Sequence, residues 1–216
     1  MKECITVDHG QNPIAHVVWL HGLGADGHDF AGVVSELRLP ESLPLRFLFP
    51  HAPVRPITIN GGMPMRGWYD IITLDPNKLV EDEASIVSGA QALFEFVSSK
   101  ALAEKPLVLI GFSQGGALAL FTGIMHKIPQ LKGVLGLSTY LPLASLVIEK
   151  AKVDHSLPVA MMHGEYDEIV PVDLGHRSRQ ALVKLGYHVD WHTYPMTHSV
   201  CPQELHDIGQ WITKLF

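Results

Sequence analysis

A serine framed by glycines, then an aspartate, then a histidine are the residues of this chain whose types and spacing can do chemistry. The serine is Ser113, in Leu109-Ile110-Gly111-Phe112-Ser113-Gln114-Gly115-Gly116. Apolar, β-favouring residues lead into it, and Ala117-Leu118-Ala119-Leu120-Phe121 read as a helix after it. Strand, sharp turn and helix around Gly-x-Ser-x-Gly make a nucleophile elbow. Glycines at 111 and 115 omit the Cβ atoms that would collide in so tight a turn. The turn pushes the hydroxyl out at the strand end, beside helix amides that can stabilise an oxyanion. Taken alone, the pentapeptide reads equally well as a Gly-rich turn with an exposed serine. The rest of the chain has to decide.

A serine hydroxyl is a poor nucleophile at neutral pH, so it needs a base, and the base needs an orienting partner. Behind such an elbow the chain order is Ser, then Asp or Glu, then His. His163-Gly164-Glu165-Tyr166-Asp167-Glu168-Ile169-Val170-Pro171 follows an apolar run and puts Asp167 just past a strand end, with Glu165 and Glu168 as local competitors. Asp154 precedes that strand, and Asp173 reads as the N-terminal residue of a helix. Of the 13 histidines, His176 and His206 fall within helical patterns and His188 and His192 in or near a strand. His198 sits in the loop after the last strand, in Tyr194-Pro195-Met196-Thr197-His198-Ser199. The expected set is therefore Ser113 as nucleophile, His198 as general base then acid, and Asp167 as the carboxylate that fixes the imidazole tautomer. Singly, Asp167 and His198 read as surface loop residues; their order behind the elbow is what joins them.

The second half of an oxyanion hole comes from the loop after an early strand. Leu20-His21-Gly22-Leu23-Gly24-Ala25-Asp26-Gly27 fits, so the expected donors are the amides of Leu23 and of Gln114. No Gly-Lys-Ser/Thr follows, so this is not a P-loop, and the dinucleotide glycine spacing is not met in a βα context. His188 and His192 have zinc-ligand spacing for a helix, but on a strand they stand about 13 Å apart. His198 and Cys201 bring no further ligand cluster. No metal is expected.

These residues need elements to hold them. Apolar runs at 16–20, 46–49, 107–110, 133–137 and 159–162, with a more polar one at 189–194, read as strands. Helical patterns fall at 81–99, 117–125, 144–151, 172–185 and 202–216, and Gly186 suits the stop of the fourth. In the first, Ala84, Val87, Ala90 or Gln91, Phe94 and Val97 are spaced for one buried face. Strands too apolar for one-sided burial, alternating with helices, predict an α/β fold: a mostly parallel sheet covered on both faces. Ligands bind such sheets beyond the carboxyl ends of the strands, which is where the candidate residues lie.

Composition narrows the partners. The chain has 216 residues, 47% hydrophobic and 18% charged, with no break or repeat; residues 1–216 are expected to form a single domain. A net charge of −6 without a Lys/Arg stripe argues against nucleic acid. The start lacks the pattern of a signal peptide, and no apolar run approaches the ~18 residues of a membrane span. Cys4 and Cys201 form no CxxC and read as free thiols in a reducing compartment, so the cytoplasm is expected.

Together these segments resemble the carboxylesterase and acyl-protein thioesterase (lysophospholipase-like) family of α/β-hydrolases. The match is carried by His21-Gly-Leu-Gly-Ala-Asp-Gly-His28, Phe49-Pro-His-Ala-Pro-Val-Arg-Pro56, Thr58-Ile-Asn-Gly-Gly-Met63 and Trp68-Tyr69-Asp70. It continues in Gly111-Phe-Ser-Gln-Gly-Gly116, Gly164-Glu-Tyr-Asp-Glu-Ile-Val-Pro171 and Tyr194-Pro-Met-Thr-His-Ser-Val-Cys201. The resemblance runs from about residue 17 onward. It implies a cap-less α/β-hydrolase fold, a Ser113, Asp167, His198 triad, oxyanion amides at Leu23 and Gln114, and no cofactor. It also implies a homodimer as one assembly, though no stretch of the chain decides it. Relatives often carry glycine before the catalytic histidine, where this chain has Thr197.

The insertion at 51–72 is long for a compact domain and holds Met63, Met65, Trp68 and Tyr69. Adaptable methionines beside aromatics suit an acyl-chain groove, which the resemblance also implies; a packed surface loop with Trp68 filling a core gap is the plainer reading. With no lid domain in view, short to medium acyl esters or thioesters are the expected substrates. Long-chain acyl-protein or lysophospholipid hydrolysis is the alternative. A non-catalytic acyl or lipid binder on the same fold, or transfer to alcohols with lactone or amide hydrolysis, completes the field.

Overall fold

Every residue of Ala15–Leu20 is buried, and so is every residue of Val159–Gly164. Strands with no polar face need cover on both sides, and the computed structural model supplies it. It describes residues 3–75, 80–151 and 154–216; the first two residues of the expected single domain lie outside these. The strands are β1 (Cys4–His9), β2 (Ala15–Leu20), β3 (Leu45–Pro50), β4 (Val54–Ile57), β5 (Met63–Arg66), β6 (Leu107–Phe112), β7 (Leu131–Leu137), β8 (Val159–Gly164) and β9 (Val189–Tyr194). The helices are α1 (Glu83–Val97), α2 (Lys100–Ala103), α3 (Gln114–Met125), α4 (Ala144–Lys150), α5 (Val172–Lys184) and α6 (Pro202–Lys214), with a 3-10 helix at Ala31–Leu37.

Seven strands form one sheet in the order β1-β3-β2-β6-β7-β8-β9. Only β1 runs antiparallel to its neighbour in it; the other pairings are parallel. The period of two sorts side chains between two cores. Val18, Leu20, Leu109 and Met161 face α1, α3, α4 and α5. Val17, Trp19, Ile110 and Met162 face the 3-10 helix and α6. Helix α3 lies so deep that residues 114 through 124 are all buried. This explains why its sequence is apolar all round rather than striped.

Besides the short helices at Ala31–Leu37 and Lys100–Ala103, which the sequence reading did not give, three features differ from it. Strand β1 was not expected; its half-buried edge pattern gives little hydrophobic signal. The insertion at 51–72 contains a hairpin, β4 paired with β5. Helix α1 starts behind Asp82, whose Oδ1 accepts from the Ser85 amide at 3.1 Å. It buries Ile86, Gly89, Ala90, Leu93 and Val97 rather than Ala84, Val87 and Gln91. Both phases fit a 3.6 period. Gly89 selects the real one, because a Cβ there would sit 2.7 Å from the Trp68 carbonyl oxygen.

Candidate active site

The parallel strands β2, β6, β8 and β9 end at one rim, and each sequence-predicted chemical residue follows one of them. After β6 the chain turns through Ser113, a non-glycine residue at φ 53 and ψ −120. Such a conformation persists only where the surroundings enforce it. Here the Ser113 amide donates to the Leu137 carbonyl at 2.8 Å. Its own carbonyl accepts from the Thr139 hydroxyl at 2.6 Å. Neighbouring glycines remove every obstacle: a Cβ at Gly115 would lie 2.5 Å from the carbonyl oxygens of Leu20 and His21. A Cβ at Gly111 would collide with the Gly115 backbone.

Asp167 lies three residues past β8, buried at 5% exposure. Its Oδ2 is 2.7 Å from Nδ1 of His198, and its Oδ1 accepts from the amides of Ile169 at 2.9 Å and Val170 at 2.8 Å. Burial alone would push this carboxyl up; the His198 hydrogen bond and the two amides outweigh it and hold it below its ordinary value. The competitors point elsewhere: Glu165 accepts from the Thr193 hydroxyl and Glu168 is exposed. The His198 ring packs on Phe112, the residue before Ser113, with ring centroids 4.7 Å apart. Ser113, Asp167 and His198 thus converge on one rim from three strand ends. Thr197 is exposed and does not appear among the positive-φ residues, so its backbone conformation does not call for glycine.

The loop after β2 passes close to the serine: a Cβ at Gly22 would sit 3.6 Å from Ser113 Cβ. Gly24, at φ 79, turns the loop, and its amide donates to the Arg66 carbonyl at 2.8 Å, tying loop to hairpin. Leu23 thus lies between Gly22, which approaches Ser113, and Gly24, which is tied to the hairpin. Gln114 opens α3, where a helix leaves its first amides without internal acceptors.

The four residues expected along an acyl groove separate into two pairs. Met63 is 61% exposed, and Met65 is half-buried with its sulfur 3.8 Å from a Cβ position at Gly24. Both share one face of β5. Trp68 and Tyr69, at 2% and 1% exposure, are interior residues. The reason is their hydrogen bonding. Trp68 donates its indole N–H to the His21 carbonyl at 2.8 Å and its amide to the Gln114 side chain at 2.9 Å. The Gln114 side chain donates in turn to the Tyr69 carbonyl at 2.7 Å. Trp68 also walls a cavity of about 350 Å³ with His51, Arg55, Arg66 and Ser88, but neither Ser113 nor His198 lines it.

Two buried histidines escaped the sequence reading. His163 Nε2 donates to the Val170 carbonyl at 2.8 Å and lies 3.6 Å from Asp167 Oδ2; burial pushes its pKa down. His21 holds the loop after β2. A signal was present: both are His-Gly dipeptides at the end of a parallel strand. Among the described residues no group of three or more His, Cys, Asp or Glu is arranged to hold a metal ion. No described helix is long and apolar enough to cross a membrane.

The sequence pattern of the phospholipase/carboxylesterase family matches residues 2–216. Acyl-protein thioesterase 1 of Neurospora crassa is 39% identical over 212 residues, covering 93% of this chain and 86% of that protein. Acyl-protein thioesterase 1 of Gibberella zeae is 38% identical, covering 93% and 90%. Among solved structures, Zea mays acyl-protein thioesterase 2 superposes with a TM-score of 0.88 at 27% identity, covering 99% of this chain and 98% of that one. The Bacillus cereus carboxylesterase shares the fold, with a TM-score of 0.75 at 17% identity over 100% and 96% of the two chains.

Proposed function

The chain belongs to the phospholipase/carboxylesterase family of α/β-hydrolases, and from that premise we propose that Ser113, His198 and Asp167 are the triad of an esterase and acyl-thioesterase. The chain is a serine hydrolase of the acyl-protein thioesterase and carboxylesterase type; the residues and steps are our reading. What supports it most is the 2.7 Å contact between Asp167 and His198, formed on the rim that carries the strained serine.

In this mechanism Asp167 holds the proton of His198 on Nδ1, so that Nε2 presents its lone pair to the Ser113 hydroxyl. Ser113 attacks the acyl carbonyl carbon as His198 takes the proton. The carbonyl oxygen gains the negative charge, which the amides of Leu23 and Gln114 stabilise. The tetrahedral intermediate collapses, the C–S or C–O bond breaks, and His198 returns the proton to the departing thiol or alcohol. Water then repeats the sequence on the acyl-serine, with the same histidine as base and acid, and releases the fatty acid.

The acyl chain lies over the apolar face of the hairpin, along Met63 and Met65. Such an open surface covers a chain from one side, so each methylene gains well below the ~0.8 kcal/mol of full burial. Rates on p-nitrophenyl esters should climb from acetate to medium chains and then level. A steady climb through palmitate would overturn that length preference. The substrate is an acylated protein, the class that the names of the relatives at 38% and 39% identity favour, or a small ester. The direct test is labelling by a fluorophosphonate probe: wild type should label, and Ser113→Ala should not. Retained labelling in that variant would remove Ser113 from the mechanism.

A further inference from the structure

His21 is buried, and its two ring nitrogens have opposite tasks. Nε2 accepts the Ala52 amide N–H at 3.1 Å, so Nε2 carries a lone pair and no proton. Nδ1 lies 2.7 Å from the Gly22 carbonyl oxygen, which can only accept, so Nδ1 carries the proton. Both contacts coexist only in the neutral, Nδ1-protonated imidazole. Protonation of Nε2 would set one N–H against another.

The consequence reaches the oxyanion hole through peptide geometry. The Gly22–Leu23 peptide is planar and trans, so the Gly22 C=O and the Leu23 N–H point in opposite directions. Whatever holds the Gly22 oxygen also aims the Leu23 amide. The Ala25 amide reaches the same oxygen at 3.4 Å, a longer contact; the imidazole makes the short one. The Trp68 indole fixes the His21 carbonyl, one peptide earlier, at 2.8 Å. We infer that His21 is a positioning residue that locks the Gly22–Leu23 peptide in the orientation presenting Leu23 N–H to the oxyanion. This deepens the triad reading and rests on it.

The lock resists protonation: charging the ring would break the Ala52 contact, and burial opposes that charging. The charged groups around His21 are Asp26 and Asp29 from its own loop, which favour protonation, and His51 from the loop after β3, which opposes it.

Two substitutions separate the two nitrogens. Asn offers an N–H where Nδ1 stands and nothing at Nε2; Gln reaches the Nε2 position with an oxygen and leaves Gly22 without a donor. With p-nitrophenyl butyrate, His21→Gln should lose about 100-fold in kcat with KM nearly unchanged, the signature of a lost transition-state donor. His21→Asn should stay within about 5-fold in kcat while melting earlier, because the buried Ala52 amide loses its acceptor. Equal kcat losses in the two variants, or a larger loss in His21→Asn, would overturn the lock. Ring nitrogen NMR on wild type adds a test that needs no variant. At neutral pH His21 should show a protonated Nδ1 and a bare Nε2; the other tautomer, or a doubly protonated ring, overturns the inference. Activity retained in Ser113→Ala would instead sink the triad reading, which keeps the two failures distinct.

Discussion

In the proposed site, the nucleophile side around Ser113 and the acid–base side around Asp167 and His198 are built by different physics. Around Ser113, position is enforced by what is missing: Gly111, Gly115 and Gly116 sit where a Cβ would strike backbone or Thr139. Around Asp167 and His198, position is enforced by what is added. Two amides hold Asp167 Oδ1, and Glu165 and Tyr166 donate their amides to Tyr194 and Met196 across the gap between the loops. Close packing weighs most on the first side, beside the two hydrogen bonds of Ser113, and hydrogen bonds weigh most on the second, beside the close approach at Gly164. Close packing fails all at once, whereas hydrogen bonds fail one at a time. Substitutions on the first side should therefore threaten the fold, and those on the second should threaten the rate.

The sharpest way to break this contrast is Gly115→Ala. A methyl group 2.5 Å from two carbonyl oxygens has no room, and a loss of roughly 3 kcal/mol or more is expected, read as collapse of the denaturation midpoint. A normal midpoint would mean that the elbow yields. Asp167→Asn on the other side should keep the fold, since an amide oxygen can still accept from Ile169 and Val170. Its kcat should fall by about 10⁴-fold, as His198 loses the partner that sets its tautomer. Loss of structure instead of rate would erase the distinction.

Two carboxyls on the acid–base side titrate in opposite senses. Asp167 is held below its ordinary value of 3.8, so its stabilisation is complete above that value and lost as pH falls through the folded one. Glu204, fully buried in the first turn of α6, is pushed by burial from 4.5 to about 8. The folded state therefore binds its proton more tightly, and stability declines as pH rises between those two values. Glu204→Gln should flatten that decline and stabilise the protein by roughly 2–4 kcal/mol above pH ~8. Melting curves across the range check it; parallel curves for the two proteins would refute it. The smallest effect is expected from Thr197→Gly. The residue is exposed, so activity should change less than about 3-fold, with roughly 0.5–1 kcal/mol lost to added chain freedom. A larger kinetic change would show that the histidine loop is tuned at that residue.

The same contrast explains what was legible in the sequence. Glycines announce close packing, so the elbow and the turn after β2 stood out by residue type, although the rest of the chain was needed to tell the elbow from a plain Gly-rich turn. The strands of the parallel sheet were legible because burial on both faces leaves unbroken apolar runs. Asp167 and His198 were reachable only by chain order, since a hydrogen bond between residues 31 apart in sequence leaves no local trace. Trp68 stayed ambiguous for the same reason: an aromatic in a long loop reads as a groove wall or as a core filler until its two N–H groups are seen to join separate segments. His21 and His163 were hidden by their surroundings, because a buried neutral imidazole carries no charge pattern to notice. Helix α1 was misphased by one step where small residues, not large ones, make the contact.

The strand order carries one more consequence, for synthesis rather than catalysis. From β6 outward the strands are laid down in the order in which the ribosome delivers them, each new one adding to the open edge left by the last. Ser113 thus precedes three of the strands that the sheet adds, while His198, the base in our reading, follows the last of them. On that reading, a chain cut before β9 would carry the serine without its base and would be inert as a hydrolase.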